Sequence, residues 1–408
     1  MAPAFTTYVA PPGMGNDAGE PSIGATPDGT ALTQSYATTY RTTWDAAGNA
    51  QWSDVTPPHG LGVNLDPILA TDPATGDTLA GGLLGPCTSL WRTSDAGATW
   101  GPVADACTGP AVDHETVALG PLPAPLSATP LRAAYVCAQG GVIACSASLD
   151  GGVTFGAPVL ISPGVSPQSP TRYCTGPSGH VKVASDGAVY VPSGHCQTQD
   201  GVMVSTDAGA TWTTRILPGS TVPVGGFDPS VATSASGWVY AAYEDQRMRQ
   251  IVQVSHDQGA TWSAPADVGA PAGLRATTFG AVAAGDDLRA AVAFLGTTDA
   301  GKANDISFAG AWDLYVAFTY DGGATWQTVK ASADPVQYGW ICSAGVGCPG
   351  HRNLLDFLDA TVDPQGRVLV AYADGCPPGC ASVAQSTASK LTIARQGAGL
   401  GLRSAFDP

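Results

Sequence analysis

Five near-identical short segments, recurring every 50 to 64 residues, constrain this chain more than any other feature. The clearest copy is Ser205-Thr206-Asp207-Ala208-Gly209-Ala210-Thr211-Trp212. The others read SDAGATW at 94–100, LDGGVTF at 149–155, HDQGATW at 256–262 and YDGGATW at 320–326. Their acids are Asp95, Asp150, Asp207, Asp257 and Asp321, so the successive spacings are 55, 57, 50 and 64 residues. A sixth, damaged copy runs from Trp44-Asp45-Ala46-Ala47-Gly48 to Trp52. Each position has a physical job. The carboxylate accepts backbone N–H groups two or three residues on and closes a turn. The Gly supplies positive φ, and the Trp is apolar payload for the sheet behind the turn.

A period of this length with strand-and-turn chemistry reads as one β-propeller over residues 1–408 rather than a string of separate domains. The 52 Gly and 33 Pro fit a chain that turns every few residues. No segment holds a helical apolar period, and none is apolar for long enough to span a bilayer as a helix.

The repeat closely resembles the Asp-box, or BNR repeat, of sialidases and related propellers. That resemblance implies hairpin turns between the outer strands of each blade, away from the ligand face, so the five Asp are read as structural. It also implies an arginine triad gripping a substrate carboxylate, with the first Arg just before an Ile-Pro pair on the first inner strand. Here the matching stretch is Gly19-Glu20-Pro21-Ser22-Ile23, with Glu20 where Arg is expected, and no other inner-strand start carries Arg. The expected Tyr–Glu nucleophile pair has one candidate, Tyr243-Glu244, but strand neighbours point to opposite faces. The resemblance thus reaches the fold and not the sialidase triad.

Seven stretches have the form of an inner strand that opens a blade, and they start at Glu20, Asp66, His114, His180, Asp228, Phe279 and Asp359. Seven blades are therefore expected, with six, the sialidase number, as the alternative. The last blade has no Asp-box and lacks a strand. The alternating Phe5-Thr6-Thr7-Tyr8-Val9 is expected to complete it and so remove an exposed edge.

The first residues of the inner strands face the axis at one rim. Four of those seven are acids and two are His, in a chain with only three Glu and six His. Turn chemistry at Asp-Pro and a water-filled channel account for the same residues without function. The functional expectation is a glycan-active enzyme with its site at this rim. A glycoside hydrolase needs two carboxylates, which Glu20, Asp66, Asp228 and Asp359 supply. A polysaccharide lyase needs a base and a group that neutralises a uronate. By likeness to seven-bladed lyases that use His, Tyr and Arg, His114, His180, Tyr173 and Arg172 are its candidates. His195, Tyr338, Trp340 and Arg352 are further substrate-binding candidates on the surrounding loops. No cofactor is required, although carboxylate plus imidazole would suit a divalent cation at the channel mouth. The competing expectation is a non-catalytic propeller that binds carbohydrate or protein.

Seventeen basic against 33 acidic residues give a net charge of −16, which disfavours nucleic acid as a partner. The ten Cys fall into close pairs: Cys87 with Cys107, Cys137 with Cys145, Cys174 with Cys196, Cys342 with Cys348, and Cys376 with Cys380. Local even pairing is expected of disulfides outside the cytosol. The expected setting is thus a secreted monomer, its signal peptide removed, acting on an extracellular glycan or polysaccharide.

Overall fold

The computed structural model of the chain describes residues 2–58, 66–109, 113–162, 174–222, 228–342, 352–376 and 388–407. Strands in these residues form seven antiparallel sheets, five with four strands and two with five. They are the seven blades of a β-propeller, and the expected inner strands open them. Those strands are Ser22–Ala25, Pro67–Thr71, Asp113–Pro121, Lys182–Val183, Ser230–Thr233, Ala276–Ala284 and Asp359–Val362, opening blades I to VII in turn. Each inner strand contacts the next around the ring, and that of blade VII returns to that of blade I.

Blade VII closes the ring as expected. Its outermost strand is Ala4–Val9, paired antiparallel with Lys390–Ala398. Tyr8 also donates from its hydroxyl to the Gly48 carbonyl of blade I at 2.9 Å and packs edge-on against Trp44. The first and last parts of the chain thus hold one sheet together, and the edge a truncated blade would expose is covered.

The Asp-boxes connect the third and fourth strands of blades II to VI. In the Asp207 copy, the Ser205 hydroxyl donates to Oδ1 of Asp207 at 2.9 Å and accepts from the Gly209 N–H at 2.9 Å. Asp207 accepts the Thr211 N–H at 2.8 Å and the Thr211 hydroxyl at 2.6 Å. The carboxylate thus reaches four residues on, not the two or three expected, because Ala208 and Gly209 are both left-handed, with φ of 60° and 84°. The glycine also lies close against the preceding blade. A Cβ on Gly97 would lie 2.8 Å from a Val55 methyl, and one on Gly209 would lie 3.2 Å from the Tyr135 ring. Trp100 likewise donates to the Val55 carbonyl at 2.6 Å, so the box Trp packs between blades. The degenerate copy is a related turn in blade I, where Asp45 accepts the N–H groups of Ala47 and Asn49.

Three expected disulfides are present: Cys87–Cys107, Cys137–Cys145 and Cys174–Cys196. Cys342 and Cys376 are also disulfide-bonded. Their expected partners, Cys348 and Cys380, lie outside the described residues. Among the described residues no helix is long and apolar enough to cross a membrane.

Candidate functional site

In a blade of four up-and-down strands, the start of the inner strand and the hairpin between strands two and three share one face. The Asp-boxes, between strands three and four, lie on the other. The ionisable inner-strand starts therefore ring the mouth opposite the Asp-boxes.

Glu20, Asp66, His114, Glu115, Ser178, His180, Asp228, Asp356 and Phe357 line a cavity of about 10 Å³ at that mouth, room for about one water molecule. A second cavity of about 20 Å³ adjoins it, sharing His180, Asp228, Asp356 and Phe357, and adds Phe279 and Asp359. Below them a channel of about 190 Å³ follows the inner strands along the axis, with walls such as Ile23, Ile68, Val117, Val181 and Val282, and Arg403 among its lining.

The backbone is strained where it presents these groups. Glu20, His114 and Phe279 have φ of 54°, 47° and 62°, a region that costs non-glycine residues free energy and is common at functional sites. His114 lies where the register slips between blade III's first two strands, from Asp113 to Thr116. Phe279 occupies the same place in blade VI, between Thr278 and Ala281. Such bulges turn a side chain out of its alternating direction, here toward the axis.

The charged groups form three assemblies. First, His114 Nδ1 lies 3.1 Å and 3.2 Å from the two carboxylate oxygens of Asp228. Burial pushes its imidazole down in pKa, but the Asp228 carboxylate and its hydrogen bond, with Asp113 and Asp66 behind, carry it up to about 10. His114 is therefore an imidazolium at neutral pH. Second, Arg352 bonds Asp356 at 2.5 Å and approaches Glu20 at 3.7 Å. Glu20 is buried, and burial, then Asp356 and Asp66, raise its carboxyl well above the usual range. Burial raises the Asp356 carboxyl as well, against Arg352, His114 and a hydrogen bond from Glu20, which lower it. Two adjacent buried carboxyl groups coexist because the pair holds a proton more tightly than free carboxyls do and Arg352 offsets the remaining charge. Third, Asp359 is held below its usual range despite full burial. Lys182 at 3.9 Å, His180 at 3.6 Å and the Ile23 N–H at 3.0 Å offset the desolvation. The His180 ring also packs edge-on against Phe357, with centroids 4.5 Å apart.

Two carboxyl groups face the first cavity outside these assemblies. Burial raises Asp66 to about 6, His114 opposes that rise, and Asp113, Asp228 and Asp356 add to it. Its Oδ2 is out of contact with solvent and has no hydrogen-bond partner. Glu115 is 3% exposed. Its Oε2 accepts the Thr88 hydroxyl at 2.6 Å, and its Oε1 has no partner. Burial, then Asp66, raise its carboxyl well above the usual range.

Of the residues picked out in the sequence, Glu20, Asp66, His114, His180 and Asp228 converge on the first cavity. Asp359 lines the second cavity and the channel. Arg352 braces the wall through Glu20 and Asp356. His195, on the blade IV hairpin beside the Cys174–Cys196 bond, and Tyr338, on a short strand paired to blade VI, line neither cavity. Trp340 packs against the hydrophobic core. Arg172 and Tyr173 lie outside the described residues. Among the described residues no three His, Cys, Asp or Glu side chains are arranged to hold a metal ion, and the crowded carboxylates are managed by protonation, His114 and Arg352. Glu115, Asp356 and Phe357 are site residues that the sequence pattern does not single out. Tyr243 and Glu244 diverge as expected of strand neighbours: the Tyr243 hydroxyl donates to Gln253 at 2.9 Å, and Glu244 accepts the Phe279 N–H at 3.2 Å.

The sequence matches the BNR/Asp-box repeat model at residues 253–264, the copy built around Asp257. No curated protein matches the chain. Among solved structures, an ulvan lyase described as a new family of polysaccharide lyase is similar at 12% identity. That match covers 95% of each chain, with a TM-score of 0.53. A GH74 xyloglucanase from Xanthomonas campestris matches at 16% identity and a TM-score of 0.53 over 91% of this chain and 53% of that one. A virginiamycin B lyase from Staphylococcus aureus matches at 10% identity and 0.51, covering 96% and 99%. At such identities the likeness is one of fold.

Proposed function

Taking the chain as a seven-bladed propeller built on the BNR/Asp-box repeat, we propose that it is a secreted hydrolase that cleaves glycosidic bonds at the rim opposite the Asp-boxes. The observation that carries this reading is Asp66: a carboxyl raised to about 6, with an unpartnered oxygen, in the same small cavity as Asp228, which lies against His114. Cleavage of a glycosidic bond calls for a pair of carboxyl groups, one of which can deliver a proton near neutral pH. Asp66 donates its proton to the leaving glycosidic oxygen. Asp228, hydrogen-bonded to His114, takes the proton of the attacking water or stabilises the developing positive charge on the sugar. Phe357, between the two cavities, offers a ring face for a sugar to stack on.

Two of the structural neighbours are by name a xyloglucanase and a polysaccharide lyase, which agrees with a glycan substrate. The virginiamycin B lyase is a reminder that a propeller alone decides nothing about chemistry. Three local disulfides support an oxidising compartment. The test is a product assay on neutral, sialylated and uronate-containing glycans, read by mass and by the absorbance of unsaturated uronate. Hydrolysis products that vanish in folded Asp66→Asn support the proposal. Unsaturated products indicate a lyase, and glycan binding without turnover indicates a lectin-like propeller.

A further inference from the structure

Below the rim lies a channel that the proposed cleavage chemistry does not use. We propose that this channel is a binding site for a small apolar monocarboxylate, which enters from the Asp-box face and leaves its carboxylate on Arg403.

The channel has the room that the rim cavities lack. Its volume is about 190 Å³, against about 10 and 20 Å³ for the two cavities above it. Blades I to VI contribute Ile23, Ile68, Val117, Val181, Ala232 and Val282 to its wall. An apolar cavity of about 150 Å³ holds one benzene, so by proportion this channel takes an apolar body of about seven or eight non-hydrogen atoms. Asp359 and Val362, the two ends of one inner strand, both line it. Three residue steps of about 3.3 Å make that wall roughly 10 Å long, which suits a flat ring or a short straight chain.

The two ends differ in charge. At the rim end Asp359 already faces His180 and Lys182 and would repel a second carboxylate. At the Asp-box end the cation is Arg403. The chain beyond the last strand is clasped there to two blades. Leu402 donates its N–H to the Gly366 carbonyl of blade VII at 2.6 Å and accepts the Asp286 N–H of blade VI at 2.7 Å. Ser404 donates its N–H and its hydroxyl to Asp286, each at 2.7 Å. Arg289 forks onto both oxygens of Asp407 at 2.8 Å. These ties fix Arg403 at the channel mouth and engage the acids beside it, while Asp363 on the Gly366 hairpin faces Arg367 and Arg395. Nε of Arg403 is out of contact with solvent and has no hydrogen-bond partner. Buried N–H groups rarely stay unpaired, and a guanidinium fork matches a carboxylate. A single open fork suits a monoanion.

The test titrates the full chain with hexanoate and benzoate, with hexanol and hexylammonium as uncharged and charge-reversed matches. Binding is followed by calorimetry and by NMR of labelled methyl groups. Saturable one-to-one binding of either carboxylate, with shifts at the Ile68, Val117 and Val181 methyls and at least tenfold weaker binding in Arg403→Gln, supports the proposal. The Arg403 guanidinium makes no bond that holds the fold, so Arg403→Gln should keep the parent's Tm. Hexanol binding as tightly as hexanoate, an Arg403→Gln variant that binds like the parent, shifts confined to the rim, or no saturable binding at millimolar concentrations overturns it. Glycan cleavage enters none of these readouts, so this site stands or falls apart from the proposed hydrolase.

Discussion

Replacing Asp66 by Asn should make the protein more stable and less active. The carboxyl is raised from 3.8 to about 6, with burial the largest cause. The difference is about 2 pKa units, and each unit corresponds to roughly 1.4 kcal/mol, so ionised Asp66 costs the folded state up to about 3 kcal/mol. Part of the side chain reaches solvent, and screening reduces the expected figure to about 1–2 kcal/mol. The sign follows from linkage. The folded pKa is the higher one, so the folded state binds the proton more tightly than the unfolded chain. Stability from this group therefore falls as pH rises from about 4 to about 6 and stays reduced above that. The amide of the Asp66→Asn variant cannot ionise, so the variant should match the parent below pH 4 and exceed it by a few degrees in Tm at pH 7–8, on the order of 2 °C per kcal/mol. The assay is thermal unfolding of both proteins at pH 4, 5, 6, 7 and 8. A variant less stable than the parent at pH 7, or a Tm difference that does not change with pH, would refute the reasoning.

Removing residues 2–9 strips the outer strand from blade VII and cuts the Tyr8–Gly48 tie to blade I; scanning calorimetry should show a lower and broader transition, and an unchanged Tm would contradict closure by this strand. Asp207→Ala removes three accepted hydrogen bonds of one Asp-box and should cost about 1–3 kcal/mol, with turnover per folded molecule retained; a folded but inactive variant would move the chemistry to the other face. The His114 ring should remain an imidazolium from pH 5 to pH 8 because Asp228 holds its pKa at about 10; an NMR titration with a midpoint near 6.5 would dissolve the pairing.

The repeat made the blades legible. Once five turns of one kind are spaced by 50 to 64 residues, each must close a sheet, and the stretches before them must be inner strands. The closing role of Phe5–Val9 followed from a last blade short of a strand. The rim was legible only in part, because strand alternation was the ruler. Period two places neighbours on opposite faces, so choosing His114 put Glu115 aside. The left-handed turn at His114 breaks that alternation, and both residues line the cavity. A similar step hid Asp356. In blade VII the chain meets the rim three residues before its strand, through Leu355 with φ of 56°, and Asp359 lies deeper, hydrogen-bonded to the Ile23 N–H. Asp356 carried one signal, its i, i+4 spacing from Arg352, a spacing at which side chains meet when the backbone coils. The loop aromatics Tyr338 and Trp340 were picked for their chemistry alone; Tyr338 stands on a short strand paired to blade VI, and Trp340 packs against the core.

The central claim is that a carboxyl with a pKa of about 6 at this rim drives the reaction, and a pH–rate profile measures it most directly. On a cleavable neutral oligosaccharide, kcat/KM of the parent should fall as pH rises through about 6, as the Asp66 proton is lost, and Asp66→Asn should abolish turnover across the range while remaining folded. A parent profile flat from pH 5 to pH 8, or a variant that keeps the parent's rate, would contradict it.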